Sequence, residues 1–184
     1  MGTFGPGRPA RLSSRFGPVL VRKEYPADID AIRALVSAAF PSPAEAELVD
    51  ALRAAGRLSI SLVAVEDGDV MGHVAFSPVT VEGVTLGLGL APVAVRADRR
   101  GRGIAERLVR EGLGLCRNAA VGLVVVLGDP RYYTRFGFEP ARRLELRDEY
   151  QAGDAFQAVE LINGTIRPGG GLVRYCPEFA ALAV

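Results

Sequence analysis

The residues best placed to do chemistry lie in DRRGRGIAERL, residues 98–108. Arg99, Arg100 and Arg102 are interleaved with Gly101 and Gly103, just ahead of a helical pattern in which Ile104, Leu108 and Leu115 share a face. Both residue types weaken a helix start. Glycine lowers helix propensity, and cations are repelled by the positive end of the helix dipole. A bound anion reverses both penalties. The unpaired N–H groups of a first turn point at it and the dipole assists. Glycine lets the backbone come close, and arginine adds bidentate contacts to phosphate oxygens. The stretch therefore reads as a phosphate-binding loop, with a solvated glycine-rich turn as the alternative. Two other loop types are excluded. No Gly-Lys-Ser/Thr occurs anywhere in the chain. After Gly101 and Gly103, the third glycine position of the dinucleotide fingerprint holds Glu106.

The elements around this loop follow from periodicity. Helical spacing marks Ala27–Phe40 and Glu45–Ala55, with Pro41 and Pro43 between them and Gly56 as a stop. The period then changes to two. Residues 59–66 and 70–81 form a hairpin about the Asp67-Gly68 turn, and 86–95 is a third strand. The loop's helix runs to about Asn118, and Leu123–Leu127 is a buried strand. Asp129 caps a short helix to Phe136, with Pro130 at its first position. Phe138–Arg147, Ala155–Ile162 and residues 171–175 are further strands. A short strand near 19–22 opens the domain. Residues 1–18, rich in Gly, Pro, Arg and Ser, read as a flexible tail, and 19–184 as one domain. The hairpins require antiparallel pairing, and the long helix between 86–95 and 123–127 requires a right-handed parallel crossover. The expected fold is α/β (α+β), with helices on both faces of a mixed sheet.

Composition limits the function classes. With 22 Lys+Arg against 21 Asp+Glu, no strong global field steers a partner. Lys23 is the only lysine, a bias that leaves the positions of the arginines, rather than their identity, to carry meaning. The longest apolar run, 119–128, is too short to span a bilayer. No secretory or myristoylation signal is expected at the start. Cys116 and Cys176 have no metal spacing, which points to reduced thiols, a cytoplasmic protein and no metal. The arginine-rich segment lacks interleaved aromatics, so neither nucleic acid nor membrane is an expected partner.

Arg100-Gly101-Arg102-Gly103-Ile104-Ala105 matches Q/R-x-x-G-x-G/A, and the chain resembles the GNAT superfamily of N-acetyltransferases, in which that motif holds the pyrophosphate of acetyl-CoA. The element order is similar. GDPRYYTRFGF, residues 128–138, resembles the family's later motif, and GHVAFSPV, LGLAPVAV and RYCPEF extend the likeness over roughly residues 19–180 to a bacterial branch of predicted N-acetyltransferases. The resemblance implies a mostly antiparallel sheet of about seven strands, splayed at the central parallel pair and flanked by about four helices. It implies acetyl-CoA as co-substrate, a small-molecule or peptide amine as acceptor, and direct transfer in a ternary complex by a monomer or homodimer.

The resemblance also implies residue roles. Val93, Ala94, Val95, Arg100, Gly101, Arg102, Gly103, Ile104, Ala105 and Tyr133 would bind the cofactor. Pro92, unable to donate to a ladder, would open the pairing beside them. The Val93 N–H would stabilise the oxyanion. Tyr133 would be the general acid, with Tyr132 as a weaker candidate. Many members carry a Glu on the strand that here reads LGLGLAPVAV, and this chain has none. That departure leaves Glu82, His73 and Asp129 as candidate bases and a non-catalytic acyl-CoA sensor as the alternative function. Glu45, His73, Ser77 and Asp129 are the candidate acceptor contacts, Glu45 as part of an acidic wall for a cationic amine.

Overall fold

The computed structural model describes residues 17–182, so nearly all of the expected tail lies outside the described residues. β1 (Leu20–Lys23) leads through a 3-10 turn into α1 (Ile29–Ala39) and α2 (Ala44–Ala54). β2 (Ile60–Glu66), β3 (Asp69–Val81) and β4 (Val84–Val95) form a meander. Its turns hold Asp67 and Gly68, then Glu82 and Gly83, all at positive φ, as tight hairpins require. α3 (Ile104–Asn118) crosses to β5 (Leu123–Leu127). α4 (Pro130–Tyr133), β6 (Glu139–Pro140), β7 (Leu146–Asp148), β8 (Phe156–Glu160) and β9 (Gly171–Arg174) complete the order.

The sheet runs β1-β2-β3-β4-β5-β8-β6, and β9 joins β3 and β7. β4–β5 and β7–β9 pair parallel, the rest antiparallel. Nine strands stand where the resemblance implied about seven and periodicity marked eight. The ninth arises in the segment read as one strand over Phe138–Arg147. A 3-10 turn at Ala141–Leu144 splits it, Pro140 ends the first piece, and Glu145 turns at φ 57°.

Strand alternation sends residues to opposite faces. Val74, Phe76, Val124 and Val126 pack with Ile104, Leu108 and Leu113 of α3. Val63 and Ala75 pack with α1, while Leu123 and Val125 pack in a cluster that includes Leu48 and Leu52 of α2. No helix among the described residues is long and apolar enough to cross a membrane.

The parallel pair is splayed for two local reasons. β4 pairs with β5 only over Gly87–Leu90. Beyond that it follows β3 alone, after a register shift between Val74 and Phe76 that absorbs Ala91 and Pro92. β5 is drawn the other way: the Gly128 N–H donates to Ala155 O at 2.9 Å, and Gln157 Nε2 donates to Gly128 O at 3.1 Å. Both backbone groups of Gly128 are thus held on the β8 side.

Candidate active site

The loop between β4 and α3 has the features its sequence demands. Gly101 and Gly103 take φ of 72° and 76°, a region that strains any L side chain. A Cβ at either would meet no atom within 4 Å, so conformation rather than crowding requires the glycines. Gly103 caps α3 with no side-chain hydrogen bond, and Gly103 O receives the Arg107 N–H. The first-turn amides beyond Gly103 therefore face a cleft of about 660 Å³. Arg99, Arg100, Gly101, Gly103, Ile104 and Ala105 line one end, Val93–Val95 the other, with Tyr132 and Arg135 also in its wall. Arg135 lies 4.6 Å from the Tyr132 ring centre.

Arg102, expected on the ligand, does not line this cleft. It turns to Glu66, with its guanidinium 3.7 Å from Oε1. Glu66 is 1% exposed, and Arg99 Nε donates to its Oε2 at 2.7 Å. One buried carboxylate thus holds Arg99 in the cleft wall and steadies Arg102 beside it. Sequence reading did not single out Glu66, the last residue of a strand beside the Asp67-Gly68 turn. Its signal was position, two residues beyond Ala64 on a strand where such spacing returns to the same face.

The β3 register decides which backbone groups of β4 face the splay. Arg96 N–H donates to Met71 O at 2.9 Å. Bonded and non-bonded pairs alternate along an antiparallel ladder. Gly72↔Val95 and Val74↔Val93 are then non-bonded pairs, while His73↔Ala94 is bonded. The N–H and C=O of Val93 and Val95 point away from β3 into the gap, and Val95 O there accepts from Arg100 Nε at 3.2 Å. Ala94, also expected to contact the ligand by its backbone, spends its groups on His73.

A second cavity of about 280 Å³ adjoins the first, and Phe40 and Val93 line both. Tyr133 lines the second, among Glu45, Leu48, Tyr150, Tyr175, Phe179 and Leu182. Its ring is fixed edge-on by Tyr132 at 5.1 Å and Phe138 at 5.7 Å. A Cβ on Gly128 would lie 2.3 Å from that ring. Burial, with a smaller effect from Tyr132, pushes the Tyr133 hydroxyl up to about 12. The group stays protonated at physiological pH, which suits a donor and excludes a base.

Of the remaining candidates, only Glu45 reaches either cavity. His73 is fully buried elsewhere, its Nε2 2.8 Å from Ser61 Oγ and 3.8 Å from Glu24 Oε2. Burial pushes its imidazole down to about 4, against Glu24 and with Arg53, so it is neutral and packed. Ser77 is fully buried on β3 opposite Gly89. Asp129 is spent as the cap of α4, its Oδ1 accepting the Arg131 N–H at 2.9 Å. Glu82 holds its turn to β9, accepting the Leu172 N–H at 2.7 Å. These positions correct the expectation that His73, Ser77 and Asp129 contact an acceptor. A strand or cap position is legible in sequence, whereas the face it presents is not.

The family description "Acetyltransferase (GNAT) domain" matches residues 21–141. The uncharacterized N-acetyltransferase YhbS of Escherichia coli is 44% identical over 164 residues, covering 88% of this chain and 98% of that protein. The crystal structure of Escherichia coli YhbS in complex with CoA superposes with a TM-score of 0.85 over 88% of this chain and 92% of that one. A GNAT family acetyltransferase from Brucella melitensis in complex with acetyl-CoA is 41% identical, with a TM-score of 0.75 over 88% of this chain and 98% of that one.

Proposed function

The chain belongs to the GNAT acetyltransferase family, and we propose that it moves the acetyl group of acetyl-CoA to a primary amine by direct attack in a ternary complex. The observation that carries this reading is the junction of the two cavities at Phe40 and Val93. A donor lying in the larger cleft would present its thioester at Val93, and an acceptor would meet it there from the Tyr133 side.

The residues present fit such a donor. Arg99, Arg100 and the first turn of α3 suit a diphosphate. The outward N–H and C=O of Val93 and the N–H of Val95 suit the amides of an extended pantetheine arm, as an added strand would pair with them. The Val93 N–H is then the donor for oxygen charge developing at the thioester carbonyl. Tyr133 supplies the proton to the departing sulfur.

Replacing Tyr133 by Phe tests the assignment. We expect turnover, followed by thiol release, to fall by about 100-fold, while acetyl-CoA affinity by calorimetry stays within about twofold. Equal turnover in the variant would remove Tyr133 as the acid. Cofactor binding without thiol release for any amine would instead mark a non-catalytic acyl-CoA module.

A further inference from the structure

We propose that the acceptor is a primary amine on a compact aromatic or apolar body, lacking a carboxylate, received in the 280 Å³ cavity with its nitrogen at Glu45. This rests on the acetyltransfer reading above. The walls are Phe40, Leu48, Tyr150, Tyr175, Phe179 and Leu182. The rings pack on one another at a tilt, the Tyr175 ring centre 5.8 Å from that of Tyr150 and 4.9 Å from that of Phe179. β4 makes room for them: a Cβ on Gly89 would lie 2.8 Å from the Tyr175 ring.

Two polar atoms in this wall are buried without a hydrogen-bond partner among the described residues, Glu45 Oε2 and the Tyr175 hydroxyl. Tyr175 is only 8% exposed. Leaving such atoms unpaired is costly, and most buried polar groups in folded proteins are paired. An ammonium group bound here would give Glu45 its hydrogen bond and its counter-charge. Among the described residues, Glu45 is the one charged residue lining the cavity. An α-carboxylate on the acceptor would meet Glu45 with no cation to offset it. A sugar amine would bring more hydroxyls than the tyrosine hydroxyls of this wall could pair. A polyamine's further ammonium groups would find no second counter-charge among the described lining residues.

The roles then close. Glu45 accepts a proton from the ammonium, freeing the nitrogen lone pair. That pair forms the N–C bond at the acetyl carbonyl, and the C–S bond breaks. Tyr133 protonates the sulfur and is reprotonated as the new amide nitrogen sheds its second proton. One amide, one thiol and one proton released to solvent result. Glu45 thus stands in, from α2, for the carboxylate that β4 lacks.

The test uses the full chain. Acetyl-CoA binding is first measured by calorimetry. Thiol release is then compared for phenethylamine, spermidine, glucosamine and phenylalanine at equal concentration. We expect kcat/KM for phenethylamine to exceed each of the others by about tenfold or more. Glu45→Gln should cut it by at least about tenfold while the acetyl-CoA Kd stays within about twofold, the unchanged Kd reporting an intact fold. Preference for any of the other three amines, or unchanged kcat/KM in the variant, overturns the proposal. So does faster transfer from hexanoyl-CoA than from acetyl-CoA, which would assign the cavity to the acyl chain. If acetyl-CoA binds and no amine reacts, the acceptor class is wrong while the donor site stands. If acetyl-CoA does not bind, the underlying reading fails first.

Discussion

Gly128 has no side chain because the Tyr133 ring occupies the place one would take. A single atom thus links the motif GDPRYY to the geometry of its tyrosine, and such couplings dominate the site at the residue scale. His73 is the opposite case, a residue whose chemistry is withdrawn. Its imidazole is held neutral, with a pKa pushed down to about 4 chiefly by burial. Beside it, Arg53 and Ser61 hold Glu24 below the usual carboxylate range against burial, which pushes it up. In the unfolded chain His73 titrates near 6.5. Between pH 6.5 and 4 the unfolded state therefore binds a proton that the folded state refuses, and stability falls as the pH drops through that window. The loss at its lower end is about 3 kcal/mol. His73→Gln keeps a partner for Ser61 and does not titrate. Its denaturant midpoint should fall less between pH 6.5 and 4 than that of the natural chain. Parallel curves for the two proteins would show that burial of the neutral imidazole is not the source.

At the scale of elements, the loop between β4 and α3 clusters like charges. Glu66, at the end of β2, offsets them by pinning Arg99 and pairing with Arg102. Breaking such a buried pair from one side removes the charge that positions the arginine. Glu66→Gln should raise the KM for acetyl-CoA by about tenfold, equivalent to about 1.4 kcal/mol, with kcat at saturating cofactor changed far less. A fall in kcat at unchanged KM would place the role of Glu66 elsewhere. At the same scale, two of the expected cofactor contacts have partners within the protein. Arg102 and Ala94 belong to the right loop and strand, yet one turns to Glu66 and the other pairs with His73. Those choices depend on Glu66 of β2 and His73 of β3, each more than twenty residues before the residue it meets.

For the whole molecule, the splay of β4 from β5 places one cleft against the other at Val93. Donor binding across β4, α3 and the Tyr132 region ties several elements together in the native state alone. Acetyl-CoA at 100 times its Kd should therefore add about 2.7 kcal/mol of stability, raising Tm by roughly 5–10 °C for a chain of this size. A calorimetric scan showing no shift at that ratio would overturn the donor assignment.

The sequence alone determined the order of elements as far as β5, the crossover, and the glycine–arginine loop ahead of α3. Each rests on local physics: hydrophobic period, turn chemistry, and glycine and arginine spacing before a helix. It also pointed to Tyr133, through a motif whose spacing is local. Only the tertiary structure decided what shares a cavity. Glu45 faces the cavity from α2, while Tyr150, Tyr175 and Phe179 converge on it from the C-terminal segment. His73, Ser77 and Asp129 are turned to packing or capping. The reason is that a side chain's role depends on the face its element presents. That face is set by register and packing between segments far apart in the chain.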